Sequence, residues 1–317
     1  MKLRLFTLPA LILLQAWTVW AQVPALELIQ QRRLDIAPGQ YSGITHVGED
    51  VYAVVHDKAL GGGLFFFTLS FLPDGSIAAV SAFETDAGGP EGRDNEDVVY
   101  VKETGTLFVA SEAEQRIREY RLDGHETGRQ LRIPQELKAC PNNLGFEALA
   151  YSDGLFWTTT EAPLPCEDFH RLQCFKLSTL APVRQYHYKT DTPSASAEGA
   201  QAYVHGISAI TALPDGRLIV MEREVCVPAG GFREMLGAFT LTKLFLIDPL
   251  HDKDSPLQKT QLGSFYTSAL NLANFEGMCL GPLLEDGRQT LLLLADSQNG
   301  SKGLTAEYIR VLALDIR

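Results

Sequence analysis

Ten polar residues stand at matched places along the chain, and their types limit the chemistry open to it. Ser42, Glu96, Glu147, Ser208 and Glu276 each lie near the start of a strand-like run, while Asp57, Glu112, Glu161, Glu222 and Asp296 each end the run that follows. Eight of the ten are carboxylates, and acids gathered on one rim repel unless solvent spreads them or a cation sits among them. Calcium is the economical cation, because it takes about six to eight oxygen ligands in flexible geometry, which Glu, Ser, backbone oxygens and water can supply. Ser42, Glu96, Glu147, Ser208 and Glu276 are therefore the candidate calcium ligands. Glu112, Glu161 and Glu222 are candidates to orient or deprotonate a water, with His56 and His205 as further acid–base groups. Lys58 and Arg223, with Asp57 and Asp296, are candidates to hold the substrate. The plainer alternative is that the acids cap strand ends, that Arg223 pairs with Glu222 or Glu224, and that the two histidines merely end a strand and a loop.

Hairpins must position these groups. In Gly145–Leu164, GFEALAYSDGLFWTTTEAPL, the runs Phe146–Tyr151 and Leu155–Thr160 flank Ser152-Asp153-Gly154. β-Branched and aromatic residues favour strands, and Asp-Gly favours the tight turn between them. The two strands run antiparallel, so Glu147 and Glu161 emerge at one edge of the sheet. Four further stretches repeat the pattern: Ser42 to Asp57 through Gly48-Glu49-Asp50, Asn95 to Glu112 through Glu103-Thr104-Gly105, Gly206 to Glu222 through Pro214-Asp215-Gly216, and Phe275 to Asp296 through Glu285-Asp286-Gly287. Each is followed by another strand-like run, such as Leu64–Phe71 or Tyr308–Leu314.

Units of a few short strands repeating every ~40 to 65 residues are the signature of a β-propeller. Five units predict an all-β, five-bladed propeller, and the spacer Thr190–Val204 leaves room for a sixth blade. The last unit lacks an outer strand, and the run Ala25–Ile36 is expected to supply it and close the ring. First strands line the channel of a propeller. The ten residues then form an inner and an outer ring at one mouth.

Residues Met1–Ala21 read as a secretory signal peptide: Lys2 and Arg4, an apolar stretch Leu5–Leu14, and Val19-Trp20-Ala21 at the cleavage point. The chain is expected to be exported to the periplasm or outside the cell, with residues 22–317 forming one domain. Loss of Lys2 and Arg4 takes the formal charge from −12 to −14. Such a surface repels nucleic acid and anionic membrane, so the expected partner is a small molecule bound by a monomer, without membrane insertion after cleavage. Of five cysteines, Cys140–Cys166 and Cys174–Cys226 are the expected disulfides, with Cys279 as a buried apolar side chain; all five free is the alternative. No G-x-S-x-G, Walker, H-E-x-x-H or dinucleotide motif occurs.

The succession YSGI…VYAVVHDK, NEDVVYV…LFVASE, GFEALAYSDG…TTTEAPLP, GISAITALPDGRLIVMERE and NFEGMCLG…TLLLLADSQ resembles the phytase-like domain family, also labelled esterase-like activity of phytase. The resemblance spans nearly the whole chain after the leader, and implies an exported hydrolase of phosphoesters or other esters. The order Ser, Glu, Glu, Ser, Glu on successive units is similar to the central calcium site of the calcium-activated nucleotidase (apyrase) family, also five-bladed. That implies Ser42, Glu96, Glu147, Ser208 and Glu276 as its ligands. Both families commonly show Asp-Asp-Arg where this chain has His56-Asp57-Lys58, so a bidentate guanidinium is replaced by a point charge. Two functions follow as expectations: a calcium-dependent phosphoester hydrolase, or a non-catalytic propeller stabilised by calcium that binds a ligand or protein.

Overall fold

The computed structural model describes residues 26–37, 39–58, 63–85, 94–140, 144–269, 271–298 and 305–315, so the expected signal peptide lies outside the described residues. Strand β1 (Leu26–Arg33) comes first. The first blade follows as β2 (Tyr41–Gly48), β3 (Val51–His56), β4 (Leu64–Phe71) and β5 (Ile77–Glu84). The second holds β6 (Asn95–Val101), β7 (Thr106–Ser111), β8 (Arg116–Arg121) and β9 (Glu126–Gln130), and the third β10 (Phe146–Ser152), β11 (Leu155–Thr160), β12 (His170–Lys176) and β13 (Ala181–Tyr188). The fourth is β14 (Ala200–Ala212), β15 (Leu218–Pro228), β16 (Phe239–Ile247) and β17 (Thr260–Ser268). The fifth is β18 (Asn274–Leu283), β19 (Gln289–Asp296) and β20 (Tyr308–Leu314), with β1 as its outer strand.

The protein is thus a five-bladed β-propeller, every blade an antiparallel four-stranded sheet. The spacer before the fourth blade holds no further sheet: β14 begins inside it, at Ala200. Ring closure runs from β1 to β20, with Leu26 opposite Leu314 and Arg33 opposite Tyr308, as expected of the early run. Turn chemistry is local, as in the third blade, where Asp153 and Gly154 both adopt positive φ (46° and 77°) between β10 and β11. Such a two-residue turn matches the twist of its strands.

One blade cannot bury both faces of its sheet, and the core shows how the ring solves this. Five apolar clusters lie at the five junctions between neighbouring blades. Phe108 of the second blade packs on Phe156 of the third, ring centres 4.6 Å apart. Trp157 of the third shares one cluster with Ile207 and Val220 of the fourth, and Met221 of the fourth shares another with Phe275 of the fifth. Burial of each such side chain stabilises by about 1.5 to 3 kcal/mol.

All five cysteines are free thiols, which corrects the two expected disulfides. Cys140 Sγ instead contacts the Leu144 carbonyl oxygen at 2.6 Å. Cys174 lies buried at the junction of blades three and four, while Cys226 sits opposite Tyr203 in the extended part of the β14–β15 hairpin.

Candidate functional site at the channel mouth

Innermost strands β2, β6, β10, β14 and β18 neighbour one another around the channel. Each is interrupted by a β-bulge at the same place. Glu96 is the extra residue between Asn95 and Asp97, Glu147 between Phe146 and Ala148, Ser208 between Ile207 and Ala209, and Glu276 between Phe275 and Gly277; in the first blade the shift spans Ser42 and Gly43. A bulge frees one residue from the pairing and re-aims its side chain. That is why a ring of alternating strands can put Ser42, Glu96, Glu147, Ser208 and Glu276 at one level. All five are buried.

In the first three blades the acid that follows the second strand comes to the mouth by a shared device. The amides of Asp57, Glu112 and Glu161 each donate to a carbonyl just before or at the start of the first strand (Gln40, Asp94 and Gly145), all at 2.8 Å. The resulting cavity, about 540 Å³, is lined by Asp57, Glu96, Glu112, Glu147, Glu161 and Glu276, with Lys58 and Arg223 as its cations. Lys58 Nζ pairs with Asp57 at 2.9 Å. Asp296 adjoins the site, its Oδ1 accepting from the Gln298 amide at 2.7 Å.

The fourth blade breaks the pattern. Strand β15 does not stop at Glu222 but runs on to Pro228, so residues 222 to 224 alternate across it. Arg223 enters the channel, where its guanidinium contacts Glu276 and Glu161, lies 3.3 Å from Glu147 Oε1 and donates to Asn274 Oδ1 at 3.2 Å. Glu222 and Glu224 take the opposite side. Glu222 accepts from the Tyr188 hydroxyl and Lys259 Nζ, both at 2.6 Å, and from the Asp191 amide at 2.9 Å. Glu224 accepts from the amides of Ser194 (2.8 Å) and Ala195 (2.7 Å). His205 stands opposite Glu224 in the strand register. Glu222 and His205 are therefore not brought to the cavity, and Arg223 pairs with neither Glu222 nor Glu224.

His56 is also set back. Its ring packs on Tyr41 and Phe65, its Nε2 and Nδ1 lie 3.2 Å from the amides of Gln40 and Lys58, and burial lowers its pKa. Asp97 did not stand out in the sequence, yet it joins two blades: its buried carboxylate accepts from the Leu149 amide at 2.7 Å and the Val98 amide at 2.8 Å. An acid beside Glu96 in an otherwise apolar strand was the signal for it.

Burial governs the electrostatics. Desolvation, then Asp57 and Glu276, hold Glu96 well above the usual carboxylate range, and desolvation with Glu161 and Glu96 does the same for Glu147. Glu112 is pushed up to about 7 by burial, although the Gly145 amide donates to it at 2.6 Å, and Asp296 is pushed up to about 9 by burial and Glu276. Burial works to lower the Arg223 pKa, but Glu276, Glu161 and Glu147 outweigh it and keep the guanidinium charged.

The donor set suits a hard cation in its chemistry: oxygens only, strongly desolvated acids, and a Ser208 hydroxyl that is buried with no hydrogen-bond partner. Arg223 competes for the same carboxylates. Among the described residues no three His, Cys, Asp or Glu side chains are already drawn together as a metal-binding group. The hydrogen bonds from Arg223 to Glu147, Glu161 and Glu276 all go to Oε1.

The family model for phytase-like proteins (esterase-like activity of phytase) matches residues 36–298, most of the chain. The chain belongs to this phytase-like family. No curated protein matches it in sequence. Among solved structures it is similar to a streptogramin B lyase (13% identity, 92% of this chain and 98% of that chain covered, TM-score 0.39). It is also similar to a virginiamycin B lyase from Staphylococcus aureus with quinupristin (11%, 92% and 100%, TM-score 0.42) and a luciferin-regenerating enzyme (10%, 91% and 95%, TM-score 0.44). Family membership points to a hydrolase-like propeller. Among the described residues of this phytase-like chain, no helix is long and apolar enough to cross a membrane.

Proposed function

We propose that this chain is an exported, monomeric, calcium-dependent hydrolase that cleaves small phosphoesters, or other esters of similar shape, at the mouth of its central channel. The observation that supports this reading is the meeting of Glu112, held at about 7, with Arg223 and Lys58 in one 540 Å³ cavity. A carboxyl poised near neutral pH is matched to taking a proton from water. Glu112 takes that proton as the water attacks the phosphorus or acyl carbon, and then gives it to the departing alkoxide as the P–O or C–O ester bond breaks. Arg223 and Lys58 then stabilise the charge that grows on the ester oxygens, and Glu161 holds the guanidinium in place. Ser42, Glu96, Glu147, Ser208 and Glu276 would hold calcium. When bound, it supplies Lewis-acid polarisation of the ester oxygen.

One observation favours the alternative, a non-catalytic propeller stabilised by calcium: the Arg223 guanidinium is already engaged by three carboxylates and is 5% exposed. Phosphate release from sugar phosphates, inositol phosphates and nucleotides, in calcium and then in EDTA, separates the two. Turnover that needs calcium and disappears in Glu112→Gln supports the hydrolase. A folded chain that is stabilised by calcium yet turns over nothing on the panel supports the binding propeller.

A further inference from the structure

The innermost hairpin of the fourth blade is longer than its counterparts: β14 has 13 residues and β15 has 11, against six to ten in the inner strands of the other blades. The excess carries it past the channel mouth. Its two faces differ in kind. On the side that begins with Arg223 opposite Gly206, the next rungs are Val225 opposite Val204 and Val227 opposite Ala202. These rungs and Leu272 line the same cavity as the carboxylates. On the other side Glu222 and Glu224 hold the hairpin to Tyr188 and to Asp191–Ala195, so the extension is braced from behind. Four residues at about 3.3 Å each make the step from Arg223 to Val227 roughly 13 Å.

Val204, Val225 and Val227 are half-buried and Ala202 is exposed, so an apolar strip rises from a charged floor. Specificity sites combine such apolar walls with a few polar groups that fix orientation. The floor itself offers little to a highly charged anion, because Lys58 is already paired with Asp57 and Arg223 with Glu161 and Glu276. From this ladder we infer that the cavity takes an amphipathic ester: a polar group of low charge over Arg223, and an alkyl or aryl group laid along Val204, Val225 and Val227. The inference rests on the hydrolase reading for the reaction, but the fit of the ligand can be tested without turnover.

The test is calorimetric titration of the full chain with O-methyl alkylphosphonates, which carry one negative charge and resist hydrolysis, in methyl, butyl and octyl lengths. Affinity is expected to rise two- to fourfold per methylene between butyl and octyl, as burial of a methylene implies. In the double variant Val225→Ser/Val227→Ser that gain should shrink to less than twofold overall, with an unchanged circular dichroism spectrum as the check on folding. Inositol hexakisphosphate should compete with the octyl probe at least tenfold more weakly than the butyl probe does. Equal affinity for all lengths, no binding of any length, a gain that survives the double variant, or strong competition by the hexakisphosphate would each overturn the inference. Length-dependent binding without turnover of any ester leaves the inference standing and removes the hydrolase reading. Turnover with no length preference does the reverse.

Discussion

Gly206 stands directly opposite Arg223 in the inner hairpin of the fourth blade, and a Cβ at Gly206 would lie 2.0 Å from the carbonyl oxygen of Glu161. The absent side chain lets the fourth blade close on the third, where the Ile207 amide donates to that same carbonyl at 3.1 Å. Arg223 can then reach Glu161 across the junction.

Removing the guanidinium leaves three buried acids without their cation. Arg223→Met is expected to destabilise the fold by about 3 to 5 kcal/mol, the usual cost of breaking a buried pair from one side. Arg223→Lys should recover only part of this, since one ammonium cannot bridge Glu276 and Glu161 as the two ends of the guanidinium do. Urea unfolding midpoints check both. If calcium enters the inner ring, adding it should restore much of the stability lost in Arg223→Met.

Stability should fall as pH rises. Glu96, Glu147, Glu112 (about 7) and Asp296 (about 9) all have raised folded-state values, so the folded chain binds more protons than the unfolded one above the ordinary carboxylate range. Their contribution is fully present near pH 4 and is lost through 7 for Glu112 and through 9 for Asp296. Midpoints measured in EDTA at pH 5, 7 and 9 should decline in that order, and Glu112→Gln should remove part of the decline between 5 and 7, because the Glu112 contribution is lost from the ordinary carboxylate range up to about 7. A midpoint that climbs over this range contradicts the assignment.

Glu224 tests the brace behind the hairpin. Burial works against its ionisation, yet the Ser194 and Ala195 amides and the Ser194 hydroxyl lower its pKa. Glu224→Ala should speed hydrogen exchange at the Ser194 and Ala195 amides by an order of magnitude or more, consistent with loss of charge-assisted hydrogen bonds. The melting temperature should move little, because the segment adds no strand to any blade.

Much of this geometry could be read from the chain alone, because the ring repeats it. Asp-Gly turns and matched acids placed Ser42, Glu96, Glu147, Ser208 and Glu276 on the innermost strands, and the unpartnered early run found its place beside β20. The bulges could not be seen, since an extra residue in a strand leaves no residue type of its own. Glu222 was misplaced because the pattern of the other blades was extended to a strand that does not end there. The run Val225-Cys226-Val227 carried the missing signal: β-branched residues continue the strand past Glu222 and turn Arg223, not its neighbour, into the channel.

The seam between β1 and β20 also has a consequence for how the chain reaches this state. Blades one to four consist of strands adjacent in sequence, so each can form without waiting for the rest of the chain. The fifth cannot, because Leu26 must wait for Leu314. Until then β20 presents an open edge, which is the template for strand addition between chains. Pairing across nearly the full sequence is slow. The last species before closure is thus a ring whose five bulged strands already exist and whose fifth blade still lacks its outer strand.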